Sequence, residues 1–90
     1  MGSLDGQWRV EREAGVLLPF GVTKRISGGY GWTCVGRVPV AFFRVADTTL
    51  VYRGWPVRDE LTPNADGTWA GRGLLAGREF CRFHMIPEAQ

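Results

Sequence analysis

Residues 57–73 of the chain read VRDELTPNADGTWAGRG, and the fold prediction starts from this stretch. Apolar Val57 and Leu61 are four positions apart, so they share one face of a strand. The following Asn64-Ala65-Asp66-Gly67 has the Asx and glycine chemistry of a tight hairpin turn. A second short strand then extends to Gly73. The stretch therefore predicts two antiparallel strands joined by a short turn.

Glycines and prolines interrupt the sequence at short intervals along the whole chain of 90 residues, which contains 13 glycines and 5 prolines. No window offers ten residues suited to a helix, so the pattern predicts an all-β protein. Consecutive short strands with short turns pair as an antiparallel meander. The eight predicted strands are Gln7–Glu13, Val22–Ser27, Gly31–Gly36, Val40–Ala46, Thr48–Arg53, Val57–Thr62, Gly67–Gly73 and Arg78–Ile86.

A meander of seven or eight strands leaves two exposed edges unless the sheet curls shut. Glycines at 36, 54, 71 and 73 can supply the kinks that closure requires. We therefore expect one domain over residues 1–90, a small closed or nearly closed barrel, with residues 1–5 and 87–90 frayed. The glycine-rich residues 28–31 predict a flexible hairpin loop that covers the barrel mouth.

Composition and charge argue against several classes of function. The net charge is only +2, and the ten arginines are spread evenly along the chain, which predicts no nucleic-acid partner. No apolar run is long enough to span a membrane, and the N-terminus lacks a signal-peptide pattern. One histidine and two separated cysteines predict neither a metal site nor a disulfide scaffold, and nothing indicates a cofactor. We expect a cytoplasmic protein with reduced thiols.

Gly6-Gln7-Trp8 opens the first predicted strand and resembles the first-strand signature of the lipocalin and calycin superfamily. In that family a basic residue near the last strand packs across the tryptophan, and Arg82 is the matching residue. The resemblance implies a lipocalin-like barrel with a cation–π contact that closes one end. Gly67-Thr68-Trp69 carries the same short motif.

A second resemblance covers roughly the C-terminal half of the chain. Residues 50–61, Gly71 and the aromatic strand from Phe80 to Phe83 are similar to a domain of unknown function. That domain follows the GXWXG domain in some microbial proteins, so the resemblance implies a bacterial source and no particular activity.

Asp59 is the residue with the strongest chemical interest. It lies between Val57 and Leu61, so alternation directs its carboxylate into the barrel, where it is costly unless paired or protonated. Lys24 has the same position between Val22 and Ile26. These residues form a structural ion pair, or they serve a ligand or a reaction with Asp59 as acid or base. A strand register shifted by one residue would reverse both directions.

Aromatic residues are distributed over most of the predicted strands, as in a solid core or in an apolar ligand site. In the ligand hypothesis Asp59, with Lys24 or Arg82, orients polar groups of the ligand. The expected lining of the lumen is Trp32, Phe43, Tyr52, Trp69 and Phe83. Because Phe42 and Phe43 are adjacent in one strand, one ring must point outward.

The leading hypothesis is therefore a barrel that binds a small hydrophobic or aromatic molecule in its lumen. A barrel of about eight strands holds one small ligand or is filled by its own side chains. The first alternative is a small barrel enzyme, a cyclase, isomerase or hydrolase of a natural-product intermediate, with Asp59 as the catalytic residue. The second alternative is a homodimer or interaction module that uses the outward phenylalanine.

Overall fold

A computed structural model describes residues 4–15 and 21–88 of the chain. Within these ranges the protein has eight β-strands and no helix. No strand boundary differs by more than two residues from its prediction. The strands are β1 (Gly6–Gly15), β2 (Val22–Ser27), β3 (Tyr30–Val35), β4 (Val38–Ala46), β5 (Thr49–Tyr52), β6 (Val57–Pro63), β7 (Trp69–Leu75) and β8 (Arg78–Pro87).

The strands form an antiparallel meander in which each strand pairs with the next one along the chain. β8 returns to β1, with Val10 opposite Met85, and so closes the sheet into a barrel. Closure gives both edge strands a hydrogen-bonded neighbour and removes the exposed edges of an open meander. The prediction of a small closed β-barrel is confirmed.

One end of the barrel is filled by a hydrophobic core. Trp8 and Trp69 are each 6% exposed there, and the indole Nε1 of Trp8 donates a hydrogen bond to the Leu4 carbonyl at 2.9 Å. Leu4 therefore belongs to the core, and Pro87 belongs to β8, although fraying was predicted for both. The other residues packed at this end include Ile26, Leu50, Leu61 and Met85.

Two inward-facing glycines make room for phenyl rings of neighbouring strands. A Cβ atom on Gly31 would lie 2.8 Å from the Phe43 ring, and one on Gly71 would overlap the Phe83 ring. The interior is therefore closely packed around these two rings. The other glycines predicted to kink the sheet occur at turns, at positions 36 and 54, and beside the β7 bulge, at position 73.

Gly71→Ala tests this packing. The added methyl group must displace the Phe83 ring, so we expect the free energy of unfolding to fall by about 1–3 kcal/mol, the usual cost of overpacking a core. Urea denaturation measures the change. Ala70→Ser adds an atom on the opposite face of the same strand and serves as the control. Equal stability of both variants would contradict the packing argument.

Candidate functional site

Four polar side chains point into the lumen from four strands. Lys24 on β2 and Thr33 on β3 are direct cross-strand partners. Tyr52 lies on β5 and Asp59 on β6, farther around the barrel. Lys24 and Asp59 are each only 4% exposed, so the alternation that directed both inward is confirmed. These four residues are called the lumen network below.

The lumen network is held together by short polar contacts. The Lys24 ammonium donates to Thr33 Oγ1 at 2.7 Å and to the Tyr52 hydroxyl at 2.5 Å, and it lies 3.2 Å from Asp59 Oδ2. The Tyr52 hydroxyl donates to the same Asp59 oxygen at 2.8 Å. An ammonium group has three protons, and three oxygens surround this one. Lys24 therefore donates two hydrogen bonds to hydroxyl groups, and the Asp59 carboxylate is the nearest partner for its third proton.

Aromatic rings also surround the buried ammonium group. The Lys24 nitrogen lies 5.5 Å from the ring centre of Phe43, 5.2 Å from that of Tyr52 and 5.6 Å from that of Phe83. These distances fall within the range of cation–π attraction. The rings and the Asp59 carboxylate together compensate for the water that the ammonium group loses on burial.

Electrostatics within the lumen network keep Lys24 charged. Burial by itself lowers the pKa of Lys24, but the negative charges that Tyr52 and Asp59 can carry, together with their hydrogen bonds, raise the pKa above the ordinary value. Burial also raises the pKa of the Tyr52 hydroxyl, and Asp59 adds to the effect. At neutral pH the network therefore contains an ammonium group and an un-ionised phenol.

A cavity of about 250 Å³ lies against the lumen network. Val40 and Trp55 line it and are 55% and 65% exposed, so the cavity reaches the surface at the barrel end opposite the packed core. Apolar side chains such as Val10 and Val57 form its walls. Cys81 also lines it, and burial raises the pKa of that thiol, which keeps the sulfur neutral.

The groups of the lumen network that can still form hydrogen bonds are acceptors. Each donor has an oxygen close by: Lys24 faces two hydroxyl groups and a carboxylate, Tyr52 donates to Asp59, and the Thr33 hydroxyl lies 3.0 Å from that of Tyr52. Among the described residues, none donates a hydrogen bond to the second Asp59 oxygen, Oδ1. A molecule that enters the cavity therefore meets mainly apolar side chains and, on the side of the lumen network that we call the cavity floor, a carboxylate that can accept hydrogen bonds.

The structure brings some of the predicted site residues together. Lys24, Tyr52, Asp59 and Phe83 all line the cavity. Phe43 faces inward and touches the network through its ring, whereas Trp69 is part of the packed core at the other end.

Two predicted site residues lie outside the lumen, so Trp32 does not line it and Arg82 does not orient a ligand in it. Trp32 is 38% exposed and pairs across strands with Arg25 and Phe42 on the outer face. Arg82 is also outside, where its guanidinium donates to Glu79 at 2.9 Å, so it does not pack across the inward Trp8. Strand alternation places both residues outside, because their neighbours in sequence face inward.

Sequence reasoning missed Thr33, although a signal for it existed. Gly28 and Gly29 form a two-residue turn with positive φ values of 62° and 87°, and Ser27 pairs with Tyr30. Counting back from that turn places Lys24 opposite Thr33. The predicted flap over the mouth is therefore a tight turn, and it lies at the packed end of the barrel.

No family model, no curated protein and no solved structure matches this chain. No helix among the described residues could cross a membrane. Residues 4–15 and 21–88 also contain no group of three His, Cys, Asp or Glu side chains arranged to hold a metal ion.

The buried ion pair can be tested by a double-mutant cycle. Lys24→Met and Asp59→Asn each leave one buried charge without its partner, so each should lower the free energy of unfolding by about 3–5 kcal/mol. The double variant has neither charge and should lose much less than the sum of the two. Urea denaturation of the four proteins measures the coupling.

Glu60→Gln is the matched control on the same strand. It breaks the exposed pair with Arg72, whose atoms lie 2.8 Å apart, and should cost about 1 kcal/mol or less. Additive losses in the Lys24 and Asp59 variants would show that the two charges do not depend on each other.

The raised pKa values of Lys24 and Tyr52 predict lower stability at alkaline pH. Above about pH 10, near the ordinary pKa values, the unfolded chain loses protons that the folded chain retains, so the free energy of unfolding falls as pH rises. The slope approaches about 1.4 kcal/mol per pH unit for each group. Lys24 is the only lysine in the chain. The Lys24→Met/Asp59→Asn variant should therefore show a shallower slope between pH 9 and 11.5 in urea denaturation, and an unchanged slope would contradict this assignment.

Proposed function

We propose that this barrel binds a small, mainly apolar molecule that donates at least one hydrogen bond to the floor of the lumen cavity. The observation that supports the proposal most directly is the lumen network itself. A polar cluster buried only for stability has no need of a cavity beside it, whereas a binding site combines apolar walls with a few fixed polar groups.

The size of the cavity limits the ligand. Its volume of about 250 Å³ is slightly below the range of about 300–1,000 Å³ that is common for ligand sites. A single aromatic ring system or a short branched chain suits this space, and a long fatty acid does not. The resemblance to lipocalins favours ligand binding. The volume of the cavity restricts the ligand to a smaller molecule than an ordinary lipocalin holds.

The hydrogen-bonding groups on the cavity floor determine which polar group of a ligand fits. The Lys24 protons already face oxygens of the network, whereas Asp59 Oδ1 can accept a hydrogen bond from a ligand. A hydroxyl, amine or amide N–H group therefore fits better than a carboxylate, which would meet the negative charge of Asp59.

Catalysis is the second candidate, and it depends on the same carboxylate. Asp59 lines the cavity and shares a hydrogen bond with the Tyr52 phenol, which is the arrangement of an acid–base group held in place by a neighbour. An enzyme would return an altered compound after incubation, whereas a binding protein returns it unchanged. Mass spectrometry of each bound compound distinguishes the two.

Matched compounds test the ligand class. Phenol and anisole, and indole and 1-methylindole, differ mainly in the proton that each pair can or cannot donate. We expect the donors to shift the amide resonances of Tyr52, Val57 and Asp59, and to bind roughly tenfold more tightly than their methylated partners, a difference of about 1.4 kcal/mol. Titrations followed by ¹⁵N NMR measure both quantities.

Ala41→Leu serves as the blocking variant because Ala41 lines the cavity, and Ala70→Leu on the outside of β7 serves as its control. The blocking variant should lose binding while the control retains it. Shifts confined to other parts of the barrel, or equal binding by both variants, would overturn the lumen proposal.

A further inference from the structure

Acidic residues are distributed unevenly along the chain, although arginines are not. From residue 14 to residue 57 the sequence has five basic residues and one acid, Asp47, and the rest of the chain has six basic residues and eight acids. The strands β2 to β5 lie entirely within the first segment and contain no Asp or Glu. The barrel therefore has one side with basic residues and almost no compensating acids.

The arginines on the two sides differ in their partners. On the side formed by β6, β7 and β8, Arg72 and Arg82 pair with Glu60 and Glu79. On the other side lie Arg25, Arg37, Arg44 and Arg53, and none of these forms a salt bridge with a described residue. Their guanidinium groups are available for anions from outside the chain.

The same side exposes three aromatic rings. Tyr30 is 68% exposed, Trp32 38% and Phe42 56%. The ring centres of Trp32 and Phe42 lie 6.3 Å apart across β3 and β4. Tyr30 and Trp32 are two residues apart on one strand, a step of about 6.6 Å. The rings thus form a strip along the outer surface, which we call the aromatic strip.

A surface groove of about 790 Å³ connects the rings with the arginines. It is lined by Tyr30, Trp32 and Phe42 together with Arg44 and Arg53. Register explains this arrangement, because Arg44 is the cross-strand partner of Tyr30, and Arg25 on the neighbouring strand is the partner of Trp32.

We propose that the outer face of β2 to β5 binds single-stranded nucleic acid, with bases stacked on the aromatic strip and phosphates paired with Arg25, Arg44 and Arg53. Aromatic rings bordered by unpaired cations are the two elements that such surfaces combine, because every base has a π-face and every nucleotide a phosphate. This proposal departs from the expectation drawn from the even spacing of arginines, since the uneven acids create the basic face.

Charge favours nucleic acid over a second copy of the chain as the partner of this face. A two-fold dimer through this face would bring Arg25, Arg44 and Arg53 of one copy close to those of the other, with no acid between them. An anionic partner meets complementary charge instead. An acidic protein would satisfy the arginines but would not require three exposed rings in a strip.

Fluorescence anisotropy with labelled 12-nucleotide single strands of RNA and DNA tests the proposal, using the whole chain at 50 mM salt. We expect binding that weakens with salt, with a log–log slope of about −2 for three phosphate contacts. A duplex of the same sequence should bind more weakly, because its bases are not free to stack.

Substitutions on the two sides of the barrel test whether binding occurs on the outer face of β2 to β5. Trp32→Ala should weaken binding at least fivefold, and Trp32→Tyr should retain most of it, because a stacking ring remains. Arg44→Ala should weaken binding and reduce the salt slope, whereas Arg72→Ala on the acid-paired side should change neither. Circular dichroism confirms that each variant is folded.

Three outcomes would overturn the proposal. The first is that no oligonucleotide binds at 50 mM salt. The second is that Arg72→Ala weakens binding as much as Arg44→Ala, since the charge of the whole chain would then be responsible. The third is that polyglutamate competes as well as the oligonucleotide and the loss of the Trp32 ring has no effect, which would assign the face to an acidic protein. Binding by Ala41→Leu should equal that of the unmodified chain, so this result is independent of the lumen ligand.

Discussion

The ion pair between Lys24 and Asp59 spans the lumen and determines much of what the barrel can do. Two buried charges on different strands are tolerated only because each has the other, together with hydroxyl groups and aromatic rings. This requirement places Thr33 and Tyr52 at the same level of the barrel. A cavity lies between the network and one barrel end.

The two ends of the lumen therefore differ in composition. At one end Trp8, Trp69 and Met85 fill the space and supply the hydrophobic stabilisation that a chain of this size needs. At the other end Val40 and Trp55 line the cavity and are exposed at its opening. A small barrel can keep such a site only because the packed end and the closed hydrogen-bonded sheet stabilise the fold.

The outer surface of the barrel also has two different sides, and this difference does not depend on the lumen. On β6 to β8 the side chains of Arg72 and Arg82 pair with acids, whereas the face of β2 to β5 presents arginines and aromatic rings on strands that contain no acid. We propose a small, mainly apolar molecule for the lumen and a single-stranded nucleic acid for the outer face. Both sites can coexist because successive residues of each strand face opposite sides of the sheet.

Much of this fold could be predicted from the sequence, because a strand with one buried face repeats every two residues and turns require particular residues. Those rules located all eight strands and directed Lys24 and Asp59 inward. The expectations for Trp32 and Arg82 rested on other grounds. Trp32 was placed inside because it is large and apolar, and Arg82 because of a resemblance, whereas alternation directs both outward.

The sequence by itself determined the strands, the turns and the face of each strand, since these depend on neighbouring residues. Only the tertiary structure decided which side chains meet across the lumen. Lys24 and Asp59 are 35 positions apart in the chain, and closure of β8 against β1 is what brings β2 and β6 around one lumen. The charged outer face likewise exists only because the sheet gathers Arg25, Arg44 and Arg53 on one side.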